Sequence, residues 1–481
     1  MLLTQAPAPK SAPSDPLNPR TKRLLEGPVF ETLIGLAAPT VALMAFQGIV
    51  SAGEAALVGR LGSSSLAGVS LSFPLIMLMT TLAAGAFGGG AASGVARALG
   101  AGKSDQAGEI AGTALGIALG LGVATTAIML GFGRSIYSAF GAEGDVLDAA
   151  VRYSNVMFLG AIPFWFFTTA ASVLRGGGNA SYPALVGAVG GVITLAVSPL
   201  VIFGAGPFPA FGLEGAAAAV ACYNLGAALL LGRAVWAKNS PSRPLLRQLM
   251  PSAAPARAIL TVAIPSTGNT LLTNLTFLAL TGLITPFGVH AMAGYGAGGR
   301  LEYLLIPIVF GIGSALVPLV ASSTGAGNLE RVRQATRAGA ALAAGICALI
   351  GITAAIFPRL WLGLFTSDAA VIEVGQAYLH RVGPAYPFFG LGLALYFVAQ
   401  GRGRVVQPLL AGMTRFLVAG VGGVIAMKSL GCELNDLFHL MAAGLVLYGT
   451  IMAVVMRREL FGARTAARVP SPAAFTLPGQ S

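Results

Sequence analysis

Long apolar runs, repeated along the whole chain, restrict this sequence more than any motif in it. A helix that crosses a bilayer needs about 20 mostly apolar residues. Twelve stretches meet that requirement, at 33–58, 66–95, 110–130, 151–174, 183–203 and 215–231, then at 258–284, 291–321, 335–357, 374–399, 405–427 and 437–455. Only 10% of the 481 residues are charged, against 55% hydrophobic, whereas soluble domains carry about 25% charged residues. So few charges cannot cover a globular surface, and lipid is the expected solvent. The fold class that follows is an all-α polytopic membrane protein. The 66 glycines suit helices that must approach closely where apolar burial no longer drives packing.

A net charge of +12 could suggest nucleic acid, but the basic residues follow membrane topology instead. With the N-terminus in the cytoplasm, only Arg60, Arg134, Arg359 and Lys428 fall outside, while Arg152, Arg300 and Arg381 lie in spans or near their outer ends. All other Lys and Arg, Arg415 among them, fall on the cytoplasmic side, as the positive-inside rule requires. Both termini are therefore expected in the cytoplasm and the chain in a bacterial inner membrane. Residues 1–28 and 459–481 read as disordered tails, the first carrying Pro7, Pro9, Pro13, Pro16 and Pro19 and no apolar core of signal-peptide length. Cys222, Cys347 and Cys432 are far apart in or beside apolar runs, so they read as small hydrophobes, not as a disulfide frame or metal site.

The chain also repeats itself. At a shift of 226, Pro39 meets Pro265, Gly62 meets Gly288 and Gly85 meets Gly311. At 225, Gly100-Ala101-Gly102 meets Gly325-Ala326-Gly327, Tyr153 meets Tyr378 and Pro183 meets Pro408. Two homologous six-helix lobes are expected, at 29–237 and 257–458, joined by the basic loop 238–256. Six spans per half insert both halves in one direction, related by a pseudo-two-fold along the membrane normal.

Soluble-enzyme motifs fail. Gly102-Lys103-Ser104 resembles the end of a phosphate loop, but Arg97 stands where that loop needs glycine. No catalytic residues and no enzyme are expected. Acids inside spans are the informative class, because a carboxylate in lipid is costly and tends to face a cavity. Glu54 falls late in the first span and Glu302 well inside the eighth. The alternatives are a Glu54 that snorkels outward near Arg60, and a Glu302 that pairs with Arg300 or Arg381. The repeat sets Leu280 opposite Glu54 and Ile76 opposite Glu302, so the two acids are not copies. Gln47, Asn155, Tyr223, Asn269 and Thr273 are candidate cavity-lining residues, with interhelical hydrogen bonding as the alternative role. Thr194 and Ser198, four apart, share one helix face. Tyr153, Phe164, Tyr295, Tyr386 and Phe388 could cradle a hydrophobic cation.

Several segments together resemble the multidrug and toxic compound extrusion family. These are Pro39, Glu54 and Val58-Gly59-Arg60-Leu61-Gly62 in and after the first helix, and Ala98-Leu99-Gly100-Ala101-Gly102-Lys103 after the second. Leu174-Arg175-Gly176 after the fourth and Gly325-Ala326-Gly327-Asn328-Leu329-Glu330 after the eighth complete the pattern, which runs from about 24 to 458. The resemblance implies a monomeric antiporter that exports organic cations or amphipathic compounds by alternating access, driven by protons or Na⁺, with no other cofactor. Glu54 then holds the family's first-helix aspartate position, with Thr194 and Ser198 where the fifth helix often carries Asn or Asp. Cation coupling is expected at Glu54, Thr194 and Ser198, with Na⁺ at Glu54 the one conceivable metal. Substrate binding is expected at Glu54, Gln47, Asn155, Tyr223, Asn269, Thr273 and Glu302. Expected partners are a small cationic or amphipathic substrate and membrane lipid. A lipid-linked precursor flippase, which needs a basic cavity, and a passive channel, which needs no coupling acid, are the rival functions.

Overall fold

The computed structural model describes residues 18–204 and 209–461. Among the described residues, eleven helices are long and apolar enough to span, and one bent pair makes the twelfth. In chain order they are α1 (Val29–Gly59), α2 (Ser64–Gly100), α3 (Ser104–Ala139), α4 (Gly144–Leu159 with Ala161–Gly176, bent by 48°), α5 (Ser181–Phe203) and α6 (Gly212–Val235). The second half comprises α7 (Ala253–Phe287), α8 (Val289–Gly325), α9 (Leu329–Ile356), α10 (Ala369–Arg402), α11 (Val406–Ser429) and α12 (Leu434–Val455). α6 runs several residues beyond the span expected for it, and α7 begins inside the expected interlobe loop. The run boundaries differ because polar residues at helix ends still take helical backbone.

Each lobe buries its own core, around Phe87, Leu115, Phe158 and Trp165 in the first and Leu305, Leu316, Tyr386 and Phe438 in the second. The repeat is written into the backbone. Gly62 and Gly288 have φ of +116° and +92°, Gly102 and Gly327 +73° and +71°, Gly178 and Gly403 +81° and +72°, and Gly204 and Gly431 +77° and +60°. Each glycine ends the corresponding helix of its lobe in a conformation that side chains resist.

The lobes meet at the end that carries the α6–α7 loop, here the loop end. A Cβ on Gly100 would strike the Ser322 carbonyl, and one on Gly325 the Arg97 carbonyl. Gly100 and Gly325 are repeat partners, so this backbone crossing of α2 and α8 lies on the pseudo-two-fold. Lower in the seam, Gly311 of α8 takes Val41 of α1 against its backbone. The Arg97 guanidinium donates to the Gly401 carbonyl at 3.3 Å. α2 carries a π-helical turn at Leu82–Phe87, which leaves backbone carbonyls without their usual partners. Gln400 of α10 donates to one of them, Gly85, at 3.0 Å, and also to Ser266 of α7 and Tyr396. At the far end the lobes part. There Ser63–Thr81 packs on Gly144–Leu159 of its own lobe.

Part of the tail expected to be disordered is helical. Pro19–Glu26 forms a helix with Asn18 as its cap, the Asn18 side chain accepting from the Arg20 amide at 3.0 Å. Proline at the first helical position is tolerated because its missing N–H has no partner there anyway. Arg331, at the start of α9, donates to the Leu24 carbonyl at 2.6 Å and to Gly27 at 2.7 Å. Asn18 donates to Asn239 of the interlobe loop at 3.5 Å. This helix therefore bridges both lobes across the closed end. The short helix Arg457–Phe461 runs three residues past the expected end of the second lobe at 458, tied down by Arg402 to Glu459 at 2.8 Å. The remaining tail residues, 1–17 and 462–481, lie outside the described residues.

Candidate functional site

Glu54 sits on α1 where that helix is held tightly on α5. The α1–α5 seam is built on small residues in step. Gly187 faces Leu43, Gly191 faces Phe46 and Val50, and a Cβ on Gly53 would stand 2.7 Å from Leu195 Cδ1. The same parallel register places Ser198 level with the turn that carries Glu54. The Thr194 hydroxyl donates back to the Gly190 carbonyl of its own helix at 2.8 Å. The Ser198 hydroxyl is buried and has no hydrogen-bond partner among the described residues. Tyr153 of α4 is the ionisable neighbour of Glu54, in a small apolar cluster with Val58, Met157 and Ile202.

The Glu54 carboxylate is half-buried and makes no ion pair among the described residues. Arg60 makes no ion pair with it. Gln47, two turns back on the same helix, is exposed and lies on the Glu54 face by the i, i+7 rule. Asn155 of α4 is half-buried. One lobe thus presents a lone carboxylate, an orphaned hydroxyl and a phenol. Such a constellation can hold a proton, a small monovalent cation or a cationic ligand.

The other lobe is built differently. Glu302 of α8 is 4% exposed and accepts from Arg415 of α11 at 2.6 Å. Neither Arg300 nor Arg381 is its partner. The Arg300 guanidinium stands 4.9 Å over the Phe365 ring, and Arg381 donates to the Ala377 carbonyl at 3.0 Å. Arg415, expected on the basic surface, is instead 8% exposed, with the rings of Phe277 and Phe389 at 5.5 and 5.6 Å. The hydroxyls of Tyr378 and Tyr386 lie 3.3 Å apart. Glu302 is therefore a neutralised carboxylate in a packed interior, not a free acid in a cavity. Arg415 stands at the repeat position of Gly190 in the first lobe, where the Tyr223 ring packs on the glycine.

The remaining candidates do not join Glu54. Tyr223 stacks edge-on with Phe167 at 5.9 Å and lines a lateral groove of about 630 Å³ between α5 and α6, with Leu185, Ile193 and Leu230. Asn269 is buried on Gly412 at the α7–α11 seam, and Thr273 donates to the Asn269 carbonyl at 2.9 Å.

Two separate segments, residues 39–200 and 265–425, match the model of one family, MatE. This chain belongs to the MatE family. The two matches begin at Pro39 and Pro265, the pair that the internal repeat superposes. MatE relatives include the FAD transporter of Shewanella oneidensis, 25% identical over 87% of this chain and 92% of that one. A probable multidrug resistance protein NorM of Deinococcus radiodurans is 28% identical, again over 87% and 92%. Among solved structures, a MOP superfamily transporter from Pyrococcus furiosus superposes with a TM-score of 0.84, at 23% identity over 92% of this chain and 98% of that one. An outward-facing multidrug resistance MATE family transporter gives 0.83 over the same shares, at 24% identity. These likenesses establish a MATE multidrug efflux transporter fold with twelve membrane helices in two lobes.

In this MatE chain, sequence reasoning missed two groups. Gln400 with Ser266 and Tyr396 ties the lobes together at the α2 π-turn. Its signal was available, because Gln400 is the repeat partner of Arg175 and both line a small void of about 20 Å³ between the lobes. The second is Arg415, which the positive-inside pattern assigned to the cytoplasmic side although it lies well inside the span 405–427.

Proposed function

We propose that this chain is a secondary active exporter of organic cations or amphipathic drugs, exchanged for protons by alternating access, with Glu54 shared between drug and proton. The observation that carries this reading is the unpaired, half-buried Glu54 carboxylate in the apolar interior of the first lobe. The loop end, rich in basic residues, is assigned to the cytoplasm by the positive-inside rule. The conformation described then faces outward, the state in which a drug leaves and a proton enters. Glu54, Tyr153 and Ser198 form the coupling site, and Gln47 and Asn155 extend it along the opening. Thr194 serves through its lone pairs, since its proton is engaged by Gly190. Protons are favoured over Na⁺ because one carboxylate and two hydroxyls make a thin cage for a metal ion that prefers several oxygens.

The flippase reading gains no support from the arginines inside the bundle. Arg97 is engaged by Gly401, Arg415 by Glu302, and Arg175 by Ser172 at 2.8 Å. The passive-channel reading leaves a lone carboxylate without a purpose. The proposal is tested by ethidium binding to the purified protein in detergent, followed by anisotropy across pH. Acidification is expected to weaken binding at least about ten-fold, a loss of about 1.4 kcal/mol, and Glu54→Gln is expected to remove that pH dependence. Binding that varies with pH equally in both proteins would place the shared site elsewhere.

A further inference from the structure

We infer that the cavity beneath the bridging helix Pro19–Glu26 is a binding site for one anionic phospholipid of the membrane leaflet at the loop end. The cavity has a volume of about 890 Å³, inside the roughly 300–1,000 Å³ range of built small-molecule sites. It is enclosed by the first halves of α1 and α5, the α4–α5 turn, the end of α6 and the interlobe loop. Its walls divide by chemistry. Pro39, Leu43, Phe46, Leu185 and Ala188 make an apolar slot. Leu185 of α5 is 59% exposed, so the slot reaches the lipid-facing surface at α5, where acyl chains lie. Toward the loop end the lining turns polar, with Asn179, Tyr182, Ser240, Ser242 and Arg20.

Among the described residues, Arg20 is the one charged residue in the lining, and its guanidinium has no carboxylate partner. The Ser240 hydroxyl is buried and has no hydrogen-bond partner among the described residues. A buried hydroxyl without a partner costs free energy unless something completes it. A phosphate oxygen accepts from both groups, and acyl chains fill the slot below. The chemistry selects an anionic amphiphile, because a zwitterionic headgroup would set a cation beside Arg20.

The site depends on the bridging helix. Arg20 is held over the cavity by its stem packing on Gly178, whose Cβ would stand 3.4 Å from Arg20 Cβ. The same helix is held to the other lobe by Arg331. An occupant therefore favours the state closed at the loop end.

The test uses purified, delipidated full-length protein, with lipid retention counted by native mass spectrometry and thermal stability followed in parallel. The probes are phosphatidylglycerol, phosphatidylcholine and inorganic phosphate. One phosphatidylglycerol is expected to bind about ten-fold more tightly than phosphatidylcholine and to raise the melting temperature. Arg20→Gln is expected to abolish that preference, and Leu185→Gln to weaken retention without changing headgroup choice. Glu54→Gln is expected to retain the lipid, so this result stands apart from the transport mechanism. Equal retention of both lipids by the wild type, a preference that survives Arg20→Gln, or stabilisation by inorganic phosphate alone would each overturn the inference.

Discussion

Arg415→Ala is expected to lose about 3–5 kcal/mol of folded-state stability, the usual consequence of leaving one member of a buried ion pair without its partner. Glu302 and Arg415 are 5% and 10% exposed by side chain, so water cannot replace the missing charge. The loss also includes the two aromatic contacts of the guanidinium with Phe277 and Phe389. Glu302→Gln should be milder, because its amide can still accept a hydrogen bond from Arg415. Replacing both, as Glu302→Leu with Arg415→Met, removes two desolvated charges together, and such swaps are often neutral or stabilising. Thermal unfolding of the purified variants checks this ordering. The double variant is also expected to keep ethidium export, because the pair lies inside one lobe. An Arg415→Ala protein as stable as wild type, or a stable double variant without export, would assign Glu302 to transport and not to packing.

Glu54→Gln is expected to abolish concentrative export while leaving the fold intact. The side chain is half-buried and unpaired, so the neutral amide removes no ion pair and fits the same space. What it removes is attraction for a cation. Two unit charges about 4 Å apart interact by about 4 kcal/mol at an effective dielectric constant of 20, far more than a tenfold change in affinity requires. It also removes the group that protons and drug contest, so equilibration of ethidium across the membrane can persist but accumulation cannot. Glu54→Asp is expected to retain partial activity, since it keeps the charge and shortens the reach by one methylene. Uphill export by Glu54→Gln at the wild-type rate would remove Glu54 from the coupling mechanism.

The sequence made some of this legible and hid the rest for physical reasons. Span number and the duplication were readable because lipid forces long apolar runs and because helix-ending glycines are fixed by backbone conformation. Gly62 with Gly288 and Gly102 with Gly327 were already visible as matches, and the positive φ at each explains why. Glu54 was legible because a lone acid in an apolar run is costly. The partner of Glu302 was not, because Arg415 lies 113 residues away and its charge was counted with the cytoplasmic basic residues. Tyr223 and Thr194 show the limit of polar residues as signals. The ring of Tyr223 fills space over Gly190, and the hydroxyl of Thr194 bonds back to its own helix, as helical threonines often do. The bridging helix was masked by prolines, although Pro19 at its first turn starts the helix. Its anchor, Arg331, is 307 residues distant from Leu24.

The most direct test of the central claim is transport by wild-type protein in liposomes, with a pH gradient and a Na⁺ gradient imposed in separate experiments and ethidium followed in each. Cation-coupled export through Glu54 predicts uphill ethidium movement driven by the pH gradient and absent under the Na⁺ gradient. Accumulation under Na⁺ alone would keep the exchange but reassign its ion. Ethidium that only equilibrates under both gradients would contradict the antiporter account itself.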